Sequence, residues 1–297
     1  MVVREKRVTL KPKGIKNIGN TCFFNSSMQC LLSIPPFITY YKEGSFDSSS
    51  PVSLAFQEFI KEYEGCDVMS PIKFLRSIKE KIKLFNGKQQ DSHEFVIQFL
   101  EVLHDEISQK NVSINTKEEF IAQAQKNIIT DLFYSYNKQT VICSKCNYRS
   151  ETPVIMNMLP IDIESSTENS LKRVFEEEEI AGPEAWKCDS CGYNKLSKKK
   201  LEVLVAPKVL ILYLKRFRSY GYKNNKNIKI DDSLKFGNNT FHNMGVVCHS
   251  GSLSEGHYYS DAKRLGSWSN YNDSYISSKV GQYDGSNPYL VFYTRGI

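Results

Sequence analysis

Cysteine, histidine and asparagine or aspartate can together form a thiol nucleophile with an oriented base, and this sequence carries them in two distant stretches. Cys22 lies in "NIGNTCFFNSS" (17–27), where a turn-forming Gly-Asn-Thr run precedes a helical pattern. The unpaired N–H groups and the macrodipole at a helix N-terminus favour a thiolate, which fits a nucleophile. On the residues alone, a buried cysteine in the first helical turn is an equal alternative.

A nucleophilic cysteine needs a base that a third group orients. Three of the five histidines fall on a predicted helix or in a polar loop: His93, His104 and His242. His257, in "EGHYYS", is followed fifteen residues later by Asn272 and Asp273. The segments "HYYSDAK" and "SWSNYND", joined by "RLGS", predict a hairpin that brings a polar side chain beside the His257 ring. His249 is the rival base, or a strand-end residue bonded to the backbone.

Two C-x-x-C pairs, "CSKC" and "CDSC", indicate a metal site. Two thiolates at this spacing can hold one Zn²⁺ from a tight turn, and a second pair completes a closed tetrahedral shell. Such a site has no open position for water, so the metal would be structural. The alternatives are redox-active pairs, buried hydrophobic cysteines and a zinc-containing nucleic-acid binder. The predicted ligands are Cys143, Cys146, Cys188 and Cys191.

Composition favours a soluble intracellular protein with a substantial core. The 297 residues are 40% hydrophobic and 12% aromatic, which suffices for one large domain or two modest ones. The N-terminal sequence has no apolar run of signal-peptide length, and "VLILYL" (209–214) is too short to span a bilayer. A reducing compartment, cytoplasmic or nuclear, favours metal ligation or catalysis over disulfides for the eight cysteines. The net charge of +6 is spread along the chain and indicates no specific nucleic-acid contact.

The secondary-structure pattern changes near residue 130. Apolar residues at helical spacing follow Cys22 until two prolines at 35 and 36, and recur in "DSHEFVIQFLEVLHDEISQ". Later segments such as "KKLEVLVAP", "MGVVCHS" and "PYLVFYTR" are β-branched and aromatic runs broken by turn residues. The sequence therefore predicts an α+β fold.

These motifs, in their order, resemble the ubiquitin-specific protease family of deubiquitinating cysteine peptidases. The resemblance covers roughly residues 14 to 295 and rests on these stretches: "GIKNIGNTCFFNSSMQCL", "QQDSHEF", the paired C-x-x-C knuckles, "LILYLKRF", "HSGSLSEGHYYS", "WSNYNDS" and "YLVFYTR". It implies a papain-like fold shaped as a right hand. It divides the single catalytic domain into a helical thumb (14–135), zinc-bearing fingers (136–205) and a palm sheet (206–297), after an N-terminal tail (1–13).

The resemblance also implies a role for each matching residue. Cys22 would be the nucleophile, His257 the general base and Asn272 its orienting residue, with Asp273 adding negative field. Asn17 matches the side chain that donates to the oxyanion. The implied reaction is hydrolysis of the isopeptide or peptide bond after the C-terminal glycine of ubiquitin, through a thioester and with no catalytic cofactor. The implied partners are ubiquitin, ubiquitinated proteins and a regulatory assembly partner, with no membrane.

The stretch "QQDSHEF" has two interpretations. The resemblance places Gln90, Asp91 and Glu94 along the cleft for the arginine-containing tail of ubiquitin. The spacing of Asp91 and Glu94 also predicts a helix capping box, which we favour for Glu94. By the same resemblance, "HSGSLSEG" is a mobile loop beside the cleft, and its alternative is an ordinary Ser/Gly connection.

Three other functions fit parts of this sequence. A catalytically inactive ubiquitin-binding scaffold would have the same fold. A papain-type endopeptidase shares the Cys, His, Asn order, but expects a C-G-[SA]-C-[WY] context that "GNTCFF" does not match. A zinc nucleic-acid binder would show steeply salt-dependent binding. The sequence departs from the family pattern at Asp261 and Glu255, which add negative charge after and before the His257 motif.

Overall fold

Helices fill the first half of the chain and strands the second, which confirms the α+β prediction. The computed structural model describes residues 8–108, 114–217, 222–252, 255–278 and 283–296. Residues 1–7 of the predicted tail and 253–254 of the predicted mobile loop lie outside them. The helices of the first half are α1 (Cys22–Leu31), α2 (Pro35–Glu43), α3 (Pro51–Gly65), α4 (Ile72–Ile78), α5 (Ser92–Ile107), α6 (Lys117–Ala124) and α7 (Ile128–Phe133).

The two prolines at 35 and 36 mark a boundary, as predicted. The helix that starts at Cys22 ends at Leu31, and Pro35 begins α2 because proline is tolerated in the first helical turn. Neither α1 nor any other described helix is long and apolar enough to be a candidate for a membrane span.

A large mixed sheet forms the second half. Its path is β13-β12-β11-β10-β14-β8-β5, with β9 paired to β10, and among the described strands of this sheet only β5 runs parallel to its neighbour. Helix α8 (Thr167–Val174) follows β5 in the sequence and precedes β6. The strands are β5 (Leu159–Ile161), β8 (Val209–Leu214), β9 (Ser233–Phe236), β10 (Asn239–Gly251), β11 (Gly256–Arg264), β12 (Ser267–Asn272), β13 (Tyr275–Ser278) and β14 (Pro288–Thr294).

A separate four-stranded sheet carries the C-x-x-C pairs, in the order β4-β3-β7-β6. Two residues of β1 pair in parallel with β2 elsewhere in the chain. These strands are β1 (Gly14–Ile15), β2 (Val68–Met69), β3 (Ser135–Cys143), β4 (Arg149–Met156), β6 (Glu178–Ala181) and β7 (Leu196–Val205), and a 3-10 turn (Gly182–Glu184) follows β6.

The large sheet separates two hydrophobic clusters because side chains alternate between its faces. Val247 and Leu290 belong to the cluster shared with helices α1 to α5, while their neighbours Val246 and Val291 belong to the cluster on the other face. Helix α1 lies directly on β10 and β11. The helical and sheet halves therefore meet along the α1 surface that starts at Cys22.

His242 was predicted in a polar loop, and this prediction was wrong. The residue lies within β10, pairing with Ser233 of β9 and Thr294 of β14. Thr240 and His242 are exposed on either side of the buried Phe241, a strand pattern that the neighbouring asparagines and glycine obscured in the sequence.

Candidate active site

Cys22 is the first residue of α1 and is 2% exposed. The segment before it is held in a tight turn in which Gly19 and Asn20 have φ of 109° and 54°. The Asn17 side chain fixes this turn, since its Oδ1 accepts from the backbone N–H groups of Gly19 and Thr21, each at 3.1 Å. Asn17 Nδ2 is thereby turned away from this segment.

The structure brings Cys22, His257 and Asn272 together between α1 and the β11–β12 hairpin. The hairpin forms as predicted, with Ser260 opposite Tyr271. His257 Nε2 lies 2.7 Å from Asn272 Oδ1. A hydrogen bond to the Cys22 side chain raises the pKa of His257 to about 9, the bond to Asn272 acts in the same direction, and burial opposes both. This arrangement favours the imidazolium form of His257 beside the Cys22 sulfur.

Asp273 links the palm to the helical half. It has φ of 53° in the turn after β12. One carboxylate oxygen accepts from Asn25 Nδ2 at 2.7 Å, and the other accepts from Asn17 Nδ2 at 3.1 Å and lies 3.9 Å from His257 Nε2. Asp273 is thus positioned to add negative field at the imidazolium and to orient Asn17.

His249, the rival base, packs inside the palm. It is 2% exposed, and its ring meets those of Tyr258 at 4.6 Å and Phe217 at 5.2 Å between centroids. Burial, and then the Lys223 ammonium, lower the pKa of His249 to about 4. Lys223 Nζ also donates to the His249 carbonyl at 2.6 Å. A ring that stays neutral and buried is poorly suited to serve as the base for Cys22.

Gly256 accommodates the His249 ring at the start of β11. A Cβ at this position would lie 2.0 Å from His249 Nε2, so only glycine allows the approach that the sequence suggested. The first residue of the strand that carries His257 is therefore packed against the buried imidazole.

The residues of "QQDSHEF" lie at the N-terminus of α5. Asp91 is its N-cap, accepting from the His93 N–H at 2.9 Å, and its other oxygen accepts from the Tyr289 hydroxyl at 2.6 Å. Glu94 does not complete the predicted capping box within this described helix, because its carboxylate accepts from Gln98 Nε2 at 3.1 Å. Gln90 Nε2 donates to Asn86 Oδ1 at 2.8 Å. Contact of these three with a ubiquitin tail stays a prediction.

The four knuckle cysteines converge at the end of the four-stranded sheet, as predicted. Their sulfur atoms all lie within 4.8 Å of one another, with 3.8 Å between Cys143 and Cys191 and 3.6 Å between Cys146 and Cys188. Four sulfurs at the Zn–S distance of about 2.3 Å around a tetrahedral ion would lie about 3.8 Å apart, so the cluster fits zinc. None of the eight cysteines forms a disulfide in the structure.

Each knuckle ends in a left-handed turn. Asn147 and Gly192, which directly follow the second cysteine of their pairs, have φ of 58° and 69°. These are residue types that adopt this conformation readily. Both knuckles therefore have the tight turn that the sequence predicted.

Sequence reasoning missed two residues that fix the site. Asn25 lies one helical turn beyond Cys22, and only its position on the same helix face could have suggested it. Arg264, at the far end of β11, is 2% exposed and donates to α1 and α3. Its partners are more than 200 positions away, so no local pattern pointed to them.

Comparison with known proteins gives a consistent result. A family model described as ubiquitin carboxyl-terminal hydrolase matches residues 13–293. Ubiquitin carboxyl-terminal hydrolase 25 of Arabidopsis thaliana is 28% identical over 99% of this chain and 49% of its own length. Ubiquitin carboxyl-terminal hydrolase 21 of Rattus norvegicus is 27% identical over 94% of this chain and 61% of its own. This chain thus spans about half to three fifths of these curated relatives.

A solved structure supports the fold. The SAGA Ubp8/Sgf11/Sus1/Sgf73 DUB module bound to ubiquitin aldehyde has a chain that superposes with a TM-score of 0.78 at 23% identity. The superposition covers 99% of this chain and 71% of that chain. The predicted right-hand, papain-like architecture is confirmed at the level of the fold.

Proposed function

Because the chain belongs to the ubiquitin carboxyl-terminal hydrolase family, we propose that it is a thiol hydrolase that cleaves the bond after the C-terminal glycine of ubiquitin. The observation that carries the proposal is the 2.7 Å bond that holds His257 against Asn272, on a strand that packs directly on the helix beginning at Cys22. This is the relay that a cysteine nucleophile requires. The relatives' names support ubiquitin as the substrate.

Each step of the proposed reaction uses residues of this chain. The Cys22 thiolate attacks the glycine carbonyl, and the protonated His257 then gives its proton to the lysine amine that leaves. Asn17 Nδ2 and nearby backbone N–H groups stabilise the oxyanion, where one lost donor costs on the order of 3 kcal/mol. Water deprotonated by His257 attacks the thioester, which releases ubiquitin and restores the thiol.

A concavity between the two larger sheets supports a globular substrate. It measures about 600 Å³ and is lined by residues of β3, β4, β7 and α8, together with the four glutamates 176–179. We infer that the body of ubiquitin lies against this surface while its tail runs past Asp91 to Cys22. The carboxylate of Asp91, on the path of the tail, suits the basic residues of that tail.

The four-cysteine site supports one structural zinc ion. Its thiolates would bind Zn²⁺ without leaving an open position, so the ion would stabilise the four-stranded sheet and take no part in the reaction. The free cysteines support an intracellular location. The Sgf11, Sus1 and Sgf73 chains that accompany Ubp8 support the existence of an assembly partner for this chain as well.

Hydrolysis of a ubiquitin C-terminal fluorogenic conjugate tests the function. We expect activity in the wild type and a loss of at least about 1000-fold in Cys22→Ala and His257→Ala. Ubiquitin with a C-terminal electrophile should form an adduct on Cys22, identified by peptide mass. Binding of ubiquitin without adduct formation or hydrolysis would instead indicate the inactive scaffold.

A further inference from the structure

A second cavity borders the segment that leads to the nucleophile. It measures about 370 Å³, and Gly19, Asn20 and Thr21, which directly precede Cys22, line one wall. Two of its apolar residues, Ile18 and Ile72, are each 40% exposed, so part of the apolar lining is accessible to a ligand. The apolar lining consists of Ile18, Phe23, Ile72, Leu75, Leu84 and Phe85.

This cavity is distinct from the predicted cleft for the ubiquitin tail. Asn20 joins the cavity wall to the loop between α4 and α5. Its side chain donates to the Gly87 carbonyl at 2.8 Å and accepts from Gln89 Nε2 at 3.1 Å. The cleft residues Gln90 and Asp91 do not line the cavity, and Asp91 is bonded to Tyr289 of the palm. The hydrogen bonds of Asn20 therefore lie between the cavity, which α4 helps to line, and the cleft beside Asp91.

The polar lining is cationic. Arg76 of α4, Lys79 directly after this helix and Lys88 of the following loop border the cavity, and no carboxylate does. Within the part of the chain that the structure describes, none of the three lies within 4.0 Å of a carboxylate, whereas Lys73 on the same helix pairs with Glu58 and Glu62. An apolar hollow with unpaired cations at its rim is complementary to an apolar side chain flanked by carboxylates.

We propose that this cavity is a specificity pocket for the protein that carries the scissile lysine, and that it takes an apolar residue of that protein flanked by acidic residues. The inference rests on the proposed function. With the ubiquitin tail in the cleft, we place the lysine side of the bond over the segment before Cys22, because residues 18–21 of this segment line the cavity. A hollow lined by six apolar side chains favours a peptide over a phosphate group.

Two isopeptide conjugates of ubiquitin test the pocket. Both carry a leucine near the modified lysine, flanked by glutamates in one and by lysines in the other. At low salt we expect kcat/KM for the acidic conjugate to exceed that for the basic one about tenfold. In the double variant Arg76→Glu/Lys79→Glu the order should reverse. A third conjugate, in which serine replaces the leucine of the acidic peptide, should be cleaved more slowly than the acidic conjugate, and Ile72→Ser should reduce this difference. Lys81→Glu, an exposed change on the same stretch but outside the cavity, is the matched control.

A fluorogenic conjugate with a small leaving group distinguishes an effect on the pocket from an effect on the catalytic residues. Its hydrolysis should be the same in the wild type and the charge-reversed variant, because nothing in it reaches the cavity. Equal rates for the two peptide conjugates would overturn the proposal. So would stimulation of the small conjugate by the free acidic peptide, which would indicate a regulatory partner, or displacement of the acidic conjugate by duplex DNA, which would indicate a nucleic-acid surface.

Binding of the two conjugates to Cys22→Ala, followed by fluorescence anisotropy, reads the charge preference without catalysis. If no conjugate is hydrolysed by the wild type, the proposed function fails. The anisotropy then still decides the pocket: tighter binding of the acidic conjugate supports it, and equal binding overturns it.

Discussion

Arg264 and Gln29 bind each other at the end of the site opposite to the catalytic pair. Arg264 Nη2 donates to the backbone oxygen of Gln29 at 2.7 Å and to its side-chain oxygen at 2.6 Å. Gln29 lies seven residues after Cys22 on α1, and Arg264 lies seven residues after His257 on β11. The guanidinium therefore fixes the helix against the strand, and with them the thiol against the imidazole.

We expect Arg264→Met to lower the activity by more than the decrease in the folded fraction explains. The change removes the charged hydrogen bonds of the guanidinium to Gln29, Ser33 and Tyr63, which should cost on the order of 3 kcal/mol of unfolding free energy. Among the molecules that remain folded, kcat should fall at least about tenfold because the helix can shift along the strand. Denaturant unfolding and active-site titration with a ubiquitin electrophile measure the two effects.

The control for this prediction is Lys263→Met, since Lys263 is exposed on the same strand. Arg264→Lys should recover only part of the rate, because an ammonium cannot reproduce the planar fork of donors. Full activity per folded molecule in Arg264→Met would show that Arg264 contributes to stability alone.

The pKa of His257 should depend on the Cys22 sulfur. The hydrogen bond to Cys22 is the largest cause that raises this pKa to about 9, so Cys22→Ser should lower it toward the ordinary value of about 6.5. NMR titration of the imidazole Cε1–H signals measures the change. His249, with a pKa of about 4, supplies an internal control whose signal should not titrate above pH 6. An unchanged His257 titration would show that the Cys22 sulfur does not raise the pKa of His257.

The same pair makes a prediction for stability. A raised histidine pKa stabilises the folded state fully below the unfolded pKa of about 6.5, and this stabilisation disappears as the pH rises through the folded value of about 9. The wild type should therefore lose unfolding free energy between pH 6.5 and 9.5 relative to His257→Gln. Parallel stability curves for the two proteins in this range would contradict the assignment.

The sequence predicted the local features of the site and the helix-to-strand change. The helix start at Cys22, the hairpin that carries His257 and the two C-x-x-C knuckles depend on short-range preferences that a few neighbouring residues express. What it could not predict are contacts across the chain. The bonds from Asn25 and Asn17 to Asp273 join residues about 250 positions apart, and asparagine in a helix gives no sign of its partner. Glu94 had capping-box spacing, yet Gln98 one turn later attracts its carboxylate.

Asp273→Asn should reduce kcat/KM by roughly 10- to 100-fold with little change in the overall fold. The carboxylate accepts from two asparagine side chains, and an amide at this position would turn a donor toward one of them. Asn17 would lose its orientation and His257 a nearby negative charge. Steady-state hydrolysis of the fluorogenic conjugate measures the effect. Asp105→Asn, on the exposed end of α5, should leave the rate unchanged, and an equally active Asp273→Asn would exclude a role for this carboxylate.

Removal of the proposed zinc ion should weaken the fold but leave the proposed nucleophile reactive. We expect one zinc ion per chain by elemental mass spectrometry, lost in Cys146→Ser and retained in Cys66→Ser, whose sulfur lies outside the cluster. The melting temperature should fall in the first variant because the closed site ties two turns of the four-stranded sheet together. Modification of Cys22 by a small alkylating agent should proceed at the wild-type rate. Zinc retained after loss of a ligand would assign the metal elsewhere.

Gly256→Ala should disrupt the start of β11 and, through it, the position of His257. The new methyl group would fall 2.0 Å from His249 Nε2 and 2.5 Å from the Ser252 carbonyl, so the strand must move away from the ring. We expect kcat/KM to fall at least about tenfold, since a displacement of even 1 Å weakens catalysis strongly. The double variant His249→Ala/Gly256→Ala should recover part of the rate, because the largest clash is removed while the backbone clash remains. If the double variant is no more active than Gly256→Ala, the Ser252 backbone and not the buried imidazole requires glycine at this position.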